Sequence, residues 1–206
     1  MYNLHATEIQ SFAQKSADNL FQVILMVALS IQQRWDTVGN QMQDVKANGL
    51  DSKYLWGNKV KTYKYLLAKK HFIYGQAMAV INSKHDNDTK ALKLMEIFLR
   101  IDGLGLAKAG FVCQLFAGLV GCIDTHNIRM YQLDANKLKY SNNIKCVVNR
   151  RSKINNYIKL CGFIGTEKLW NNWCNYLALR NPKAWRDGYH VSAAHVAYAK
   201  GEALGG

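Results

Sequence analysis

The sequence predicts an all-α protein, and three observations point to that fold class. Apolar residues recur every three or four positions in many segments, the clearest being Leu20, Ile24, Val27 and Ile31. Nowhere do Val, Ile or Thr alternate with polar residues over the length of a strand. A single proline, Pro182, interrupts the 206 residues. We therefore expect about seven to ten helices joined by short loops.

The chain is expected to form one domain, residues 1–206. Its length falls within the range of single domains, and hydrophobic residues make up 49% of it, which is enough for a core. No long linker and no repeat of about 20–50 residues divides it. Turn-forming residues gather instead in short clusters, such as 49–52 and 162–166, where we expect helices to end.

The charge of the chain indicates a polyanionic partner. It has 27 Lys and Arg against 14 Asp and Glu, a formal net charge of +13. A globular protein this basic usually binds nucleic acid; an anionic membrane surface is the second class of partner, and solubility alone is the neutral explanation. No secretory signal is visible, and the longest apolar run, residues 21–31, is too short to cross a bilayer. We expect a cytoplasmic protein that does not enter a membrane.

The five cysteines do not form a pattern typical of a metal site or of disulfides. Their number is odd, their spacing is wide, and no C-x-x-C pair occurs. The compact four-cysteine run of an iron–sulfur loop is also missing from the sequence. We therefore expect no metal ligands, no iron–sulfur cluster and no cofactor.

The most informative segment is 101–109, Ile-Asp-Gly-Leu-Gly-Leu-Ala-Lys-Ala. Gly103 and Gly105 allow a tight turn between two helices and let a ligand approach the backbone. Leu104 is expected to plug the turn into the core, and Lys108 adds a cation in the first turn of the next helix. With the amides of that helix N-terminus, these residues suit a DNA phosphate. A structural cation at the turn, or an ordinary turn between helices, are the alternatives.

A second motif follows at 123–129, Ile-Asp-Thr-His-Asn-Ile-Arg. Together the two segments resemble the helix-hairpin-helix DNA glycosylase superfamily, the endonuclease III-like fold. Its members carry approximately L-P-G-V-G-x-K-x-A and, roughly twenty residues after the glycines, V-D-T-H-V-x-R. The likeness covers about residues 20–135. Within it, Gln32 matches a glutamine that in the family enters the duplex where a nucleotide is flipped out.

The resemblance implies two helical lobes with a DNA-binding cleft between them. Residues of approximately 20–135 would form the central lobe with the hairpin, and 1–19 plus 136–206 the second lobe. Double-stranded DNA is the implied partner of a monomer. Asp124 is the implied catalytic carboxylate, because breaking an N-glycosidic bond builds positive charge on the sugar of a flipped nucleotide. An N-cap aspartate with no chemistry is the alternative for Asp124.

Two positions depart from the family pattern. The lysine that attacks the sugar in bifunctional members falls on Ala107, and Lys108 lies one residue later, about 100° around the helix, where we expect it to face elsewhere. Asp102 replaces the usual proline before the glycines. We therefore expect a monofunctional enzyme that uses water and has no lyase activity.

Two other functions remain open. One is a phage-type transferase that hypermodifies thymine in DNA on a glycosylase-like fold, which would keep DNA binding and base flipping without the lysine. The other is a DNA-binding protein without catalysis.

Further candidate site residues lie around and beyond the two motifs. Arg129, Arg150 and Arg151 are expected to contact DNA phosphates, the last two within a basic cluster at 149–153. A solvated helix face is the alternative for that cluster. His126, Asp187 and His190 are candidates for the substrate pocket, although for His126 a bracing role is the favoured interpretation.

Overall fold

The computed structural model describes residues 3–140, 146–182, 188–200 and 202. Every regular element in these residues is helical, which confirms the all-α prediction. The α-helices are α1 Asn3–Lys15, α2 Ala17–Leu29, α3 Val38–Asn48, α4 Asn58–Ile81, α5 Asn87–Phe98, α6 Leu106–Ala117, α7 Thr125–Met130, α8 Val147–Ile164, α9 Thr166–Arg180 and α10 Gly188–Lys200. The division into two lobes around a cleft stays a prediction.

Helix α2 is the centre of the core. Ten of its thirteen residues are buried, and it packs against α1, α3, α4, α6 and α10. A helix that is apolar nearly all round belongs in the interior of a globular fold. The Ser16 hydroxyl begins it by accepting a hydrogen bond of 3.1 Å from the Asn19 amide. None of the described helices has the length and apolar character that a bilayer crossing requires.

An aromatic cluster fastens the C-terminal helices to the core. The imidazole of His195 on α10 is fully buried, with ring centroids 4.5 Å from Trp35 and 4.6 Å from Trp170. Trp173 and Phe111 complete the group at 5.3 and 6.1 Å from His195. Helix α10 also packs against α1, α2, α3 and α9, so the first and last described helices meet. The loop after α2, which carries Trp35, is therefore tied to α9 and α10.

Candidate functional site

A cavity of about 650 Å³ lies where the loop after α2, the start of α6, the end of segment 121–124 and helix α9 converge. Three residues singled out from the sequence, Gln32, Lys108 and Asp124, line it together. The full lining is Ser30, Gln32, Gln33, Arg34, Trp35, Asp36, Lys108, Asp124, Trp173, Tyr176, Leu177, Arg180 and Asn181. Aromatic rings, cations and two carboxylates therefore share one concave site.

Asp124 is the N-cap of α7 and a wall of the cavity at the same time. Its Oδ1 accepts a hydrogen bond of 2.9 Å from the Asn127 amide, and its backbone is extended. The Asn127 side chain is fully buried and donates from Nδ2 to the Cys122 carbonyl at 3.0 Å. Asp124 is thus an N-cap in its geometry, and the N-cap hydrogen bond holds the carboxylate at the cavity.

The segment before Asp124 is held by a buried tyrosine. The Tyr157 hydroxyl accepts from the Ile123 amide at 2.9 Å and donates to the Gly121 carbonyl at 3.0 Å. Burial raises the pKa of this phenol well above its usual range, so the hydroxyl stays protonated and can donate. Sequence reasoning missed Tyr157, because a tyrosine at helical spacing in α8 looks like any other core residue.

Gln114 holds the same segment from α6. Its Oε1 accepts from the Cys122 amide at 3.2 Å, and its Nε2 donates to the Thr166 carbonyl at 3.0 Å. The side chain is 3% exposed. Since a buried amide costs free energy unless both ends are hydrogen-bonded, Gln114 ties the acid-bearing segment to the start of α9.

Lys108 faces the cavity, and the expectation that it points away from the acid site was wrong. Its Nζ donates to Ser30 Oγ at 3.1 Å and lies 5.7 Å from the centroid of the Phe111 ring. Although alanine stands at position 107, the cavity therefore still contains an amine, that of Lys108. The helical offset locates Cα, whereas a four-carbon side chain leans toward the helix N-terminus and ends where its partner lies.

Another lysine, Lys59 of α4, is buried against the C-terminal end of α2. Lys59 is 2% exposed, and its Nζ donates to the Leu29 carbonyl at 2.9 Å and lies 4.7 Å from the centroid of the Trp56 ring. Burial, followed by the nearby charge of Lys108, lowers the pKa of Lys59 to about 8. An ammonium group is favourable at the negative end of a helix dipole. Lys59 thereby anchors the helix end from which the loop with Gln32 departs.

Gln32 has a backbone conformation that its side chain disfavours. Its φ is +55°, and its side chain is exposed at the cavity. A non-glycine residue in this region costs about 1–3 kcal/mol and is common at functional sites. Gln32 is therefore a strained, exposed residue that lines the same cavity as Asp124.

The two hairpin glycines have different structural roles. Gly103 has φ +88°, and a Cβ there would lie 2.6 Å from Thr62 Oγ1 and 2.7 Å from the Asn58 carbonyl oxygen. Gly105 has φ −99°, and a Cβ there would meet nothing within 4 Å. Leu104 is 2% exposed, so its side chain plugs the turn as expected, and only its backbone could meet DNA. The open surface at the start of α6 is therefore at Gly105.

His126 lies behind the cavity wall rather than in it. Its ring stacks on Tyr176, with centroids 3.8 Å apart and planes 20° apart, and it is not among the lining residues. Burial lowers the pKa of His126, and the charge of Asp124 partly opposes that shift. Arg180 donates to the Tyr176 hydroxyl at 2.6 Å. His126 therefore packs against Tyr176 from behind the cavity wall, and a role for it in the substrate pocket stays a prediction.

The predicted DNA-binding arginines do not line this cavity. Arg129 is exposed in the last turn of α7. Arg150 and Arg151 line a second cavity of about 440 Å³ between α5 and α8, where Arg151 Nε contacts Glu96 Oε1 at 2.7 Å. Their role in phosphate binding stays a prediction. Asp187 lies outside the described residues, and so does the side chain of His190, whose backbone belongs to α10.

No group of three or more His, Cys, Asp or Glu side chains that could hold a metal ion occurs in the described part of the chain. A cation at the hairpin turn stays a prediction. A scan against protein-family models and searches of curated proteins and of solved structures find no match to the chain.

Proposed function

We propose that the chain is a DNA base-acting enzyme of glycosylase type, with Asp124 as its key carboxylate. The observation that supports this most is the meeting of Gln32, Lys108 and Asp124 in one cavity. The three residues come from a loop, a helix and a helix cap, and Gln32 is distant in sequence from the other two. In each case the local geometry holds the side chain or its backbone at the cavity.

In the proposed reaction, a flipped base enters the cavity beside Trp173 and Tyr176. As the N-glycosidic bond breaks, the base leaves with the bonding electron pair and takes up a proton from solvent, and positive charge develops on the sugar. The Asp124 carboxylate stabilises that charge and accepts a proton from the water molecule that adds at C1′. The cap hydrogen bond from Asn127 and the hold of Tyr157 on Ile123 keep the carboxylate in place before substrate arrives. Gln32 would occupy the space that the flipped nucleotide leaves.

Water remains the proposed nucleophile, because Lys108 is held by Ser30. Its position in the cavity nevertheless makes the product informative. A water-dependent enzyme leaves an intact abasic site, whereas an attacking amine forms an imine that borohydride reduces to a covalent protein–DNA adduct. We expect abasic sites and no adduct; an adduct that disappears in Lys108→Gln would overturn the monofunctional assignment.

Asp124→Asn is the decisive variant, since asparagine keeps the N-cap and removes the charge. Asp86→Asn is its matched control, because Asp86 Oδ1 caps α5 through the Thr89 amide at 2.8 Å and Asp86 does not line the cavity. Duplexes containing uracil, mismatched thymine, oxidised bases or alkylated bases would be tested for release of the base.

We expect Asp124→Asn to lower base release at least about 100-fold and Asp86→Asn to leave it unchanged. Equal loss in both variants would assign Asp124 a structural role only. Tight duplex binding without release of any base would contradict the glycosylase assignment.

A further inference from the structure

Helix α4 carries an unusual distribution of charge. Its 24 residues, Asn58–Ile81, include five lysines and no Asp or Glu. Lys59 is buried, and Lys70 is half-buried and contacts Asp18. Lys61 and Lys64 are exposed and lie three positions apart, so they share one face of the helix. We call this pair the α4 basic face.

The first turn of α4, which precedes the α4 basic face, lies against the hairpin turn. The Thr62 hydroxyl donates to the Asp102 carbonyl at 2.6 Å, and the Asn58 carbonyl oxygen lies against Gly103. Lys61 and Lys64 are within two positions of Thr62 in the sequence and, at about 100° per residue, project away from its hairpin-facing side toward solvent. A duplex whose phosphates meet the start of α6 at Gly105 would pass the first turn of α4, from which the α4 basic face follows.

We propose that the α4 basic face extends the DNA-binding surface from the hairpin and binds backbone phosphates of the duplex on one side of the target base. This inference rests on the proposed DNA-binding function. A pair of exposed cations on a helix without acids complements a polyanion, and an exposed lysine on a helix reaches phosphate without reading sequence. The position next to the hairpin favours duplex DNA over a lipid surface, because the phosphates would be continuous with those at Gly105.

The test is the salt dependence of duplex binding. The slope of log K against log[salt] falls in magnitude by about 0.9 for each phosphate that the protein no longer neutralises. The double variant Lys61→Gln/Lys64→Gln should lower it by about 1.8. Lys84→Gln/Lys90→Gln removes the same charge near the far end of α4 and in the first turns of α5, and should leave the slope unchanged.

Duplexes shortened on one side of the target base show which side the α4 basic face binds. We expect the difference between the chain and the Lys61/Lys64 variant to vanish on one of the two shortened duplexes and to persist on the other. An unchanged slope in this variant, or an equal fall in the control variant, would overturn the proposal.

Binding to lipid vesicles tests the alternative polyanion, an anionic membrane surface. Loss of binding to phosphatidylserine vesicles in the Lys61/Lys64 variant, with no change on DNA, would assign the face to a membrane and overturn the proposal. If the unmodified chain bound duplex DNA with no salt dependence at all, the proposed function itself would fail. If the unmodified chain bound duplex DNA with a salt dependence and the Lys61/Lys64 variant kept the same slope, only the present inference would fail.

Discussion

Alanine at each of the two hairpin glycines should separate folding from DNA binding. Gly103→Ala introduces a Cβ 2.6 Å from Thr62 Oγ1 and 2.7 Å from a backbone oxygen, at φ +88°. Gly105→Ala introduces the same methyl group at φ −99°, where no atom lies within 4 Å. The two substitutions are chemically identical and only two residues apart, so each serves as the control for the other.

The expected loss of stability follows from this geometry. At Gly103 a positive φ costs about 1–3 kcal/mol and a methyl group forced into packed atoms about 1–3 kcal/mol, together about 2–6 kcal/mol. For a chain of this size that lowers Tm by roughly 5–20 °C. At Gly105, alanine reduces the conformational freedom of the unfolded chain, which stabilises the folded state by about 0.4–1 kcal/mol. Alanine is also a poorer N-cap residue than glycine, and the two effects offset each other. That variant should stay within about 1 kcal/mol of the original.

Thermal unfolding and duplex affinity together provide the assay. Gly105→Ala should keep its Tm and bind duplex DNA about 10-fold more weakly, because the methyl group occupies the space where a phosphate would meet the first amides of α6. Equal Tm values for the two variants would refute the packing argument at Gly103. Unchanged duplex affinity in Gly105→Ala would refute the hairpin as the site of backbone approach.

Substitutions at three further residues test the surroundings of the site. Gln32→Gly should be about 1 kcal/mol more stable than Gln32→Ala, since only glycine adopts the positive φ without strain. Both variants should lose duplex binding. Equal stability of the two in chemical denaturation would contradict the strain argument. Tyr157→Phe should lower the free energy of unfolding by about 1–3 kcal/mol, because the buried Ile123 amide loses its hydrogen-bond acceptor, and it should slow base release. A variant as active and as stable as the original would contradict the positioning role of Tyr157. For Lys59 the folded-state pKa of about 8 lies below the ordinary value of 10.5, so the unfolded chain binds more protons between these values. Raising the pH from 8 to 10.5 should therefore stabilise the original chain relative to Lys59→Met, and a constant difference in unfolding free energy would show that Lys59 does not titrate in that window.

Much of the fold was predictable because its determinants are local. The spacing of Leu20, Ile24 and Val27 recurs in the structure as the buried helix α2, and turn-forming clusters lie where helices end. The hairpin and Asp124 could also be singled out, since a glycine turn and an acid at a helix start depend on neighbours a few residues away.

The interactions that build the candidate site could not be predicted in the same way. Tyr157 meets Ile123 across 34 positions, and Lys108 meets Ser30 across 78. No pattern within either segment encodes such a pair. Burial of Lys59 is a similar case, because a lysine in a basic stretch looks solvated until a helix end is packed over it.

By itself, the sequence determined the helical class, the basic character and the residues Gly103, Gly105 and Asp124. Only the tertiary structure decided that, of the two hairpin glycines, Gly103 is the one that requires glycine, and that Lys108 lines the same cavity as Asp124. Helix periodicity is set by backbone hydrogen bonds four residues apart, whereas the end of a long side chain is set by whichever remote helix packs against it.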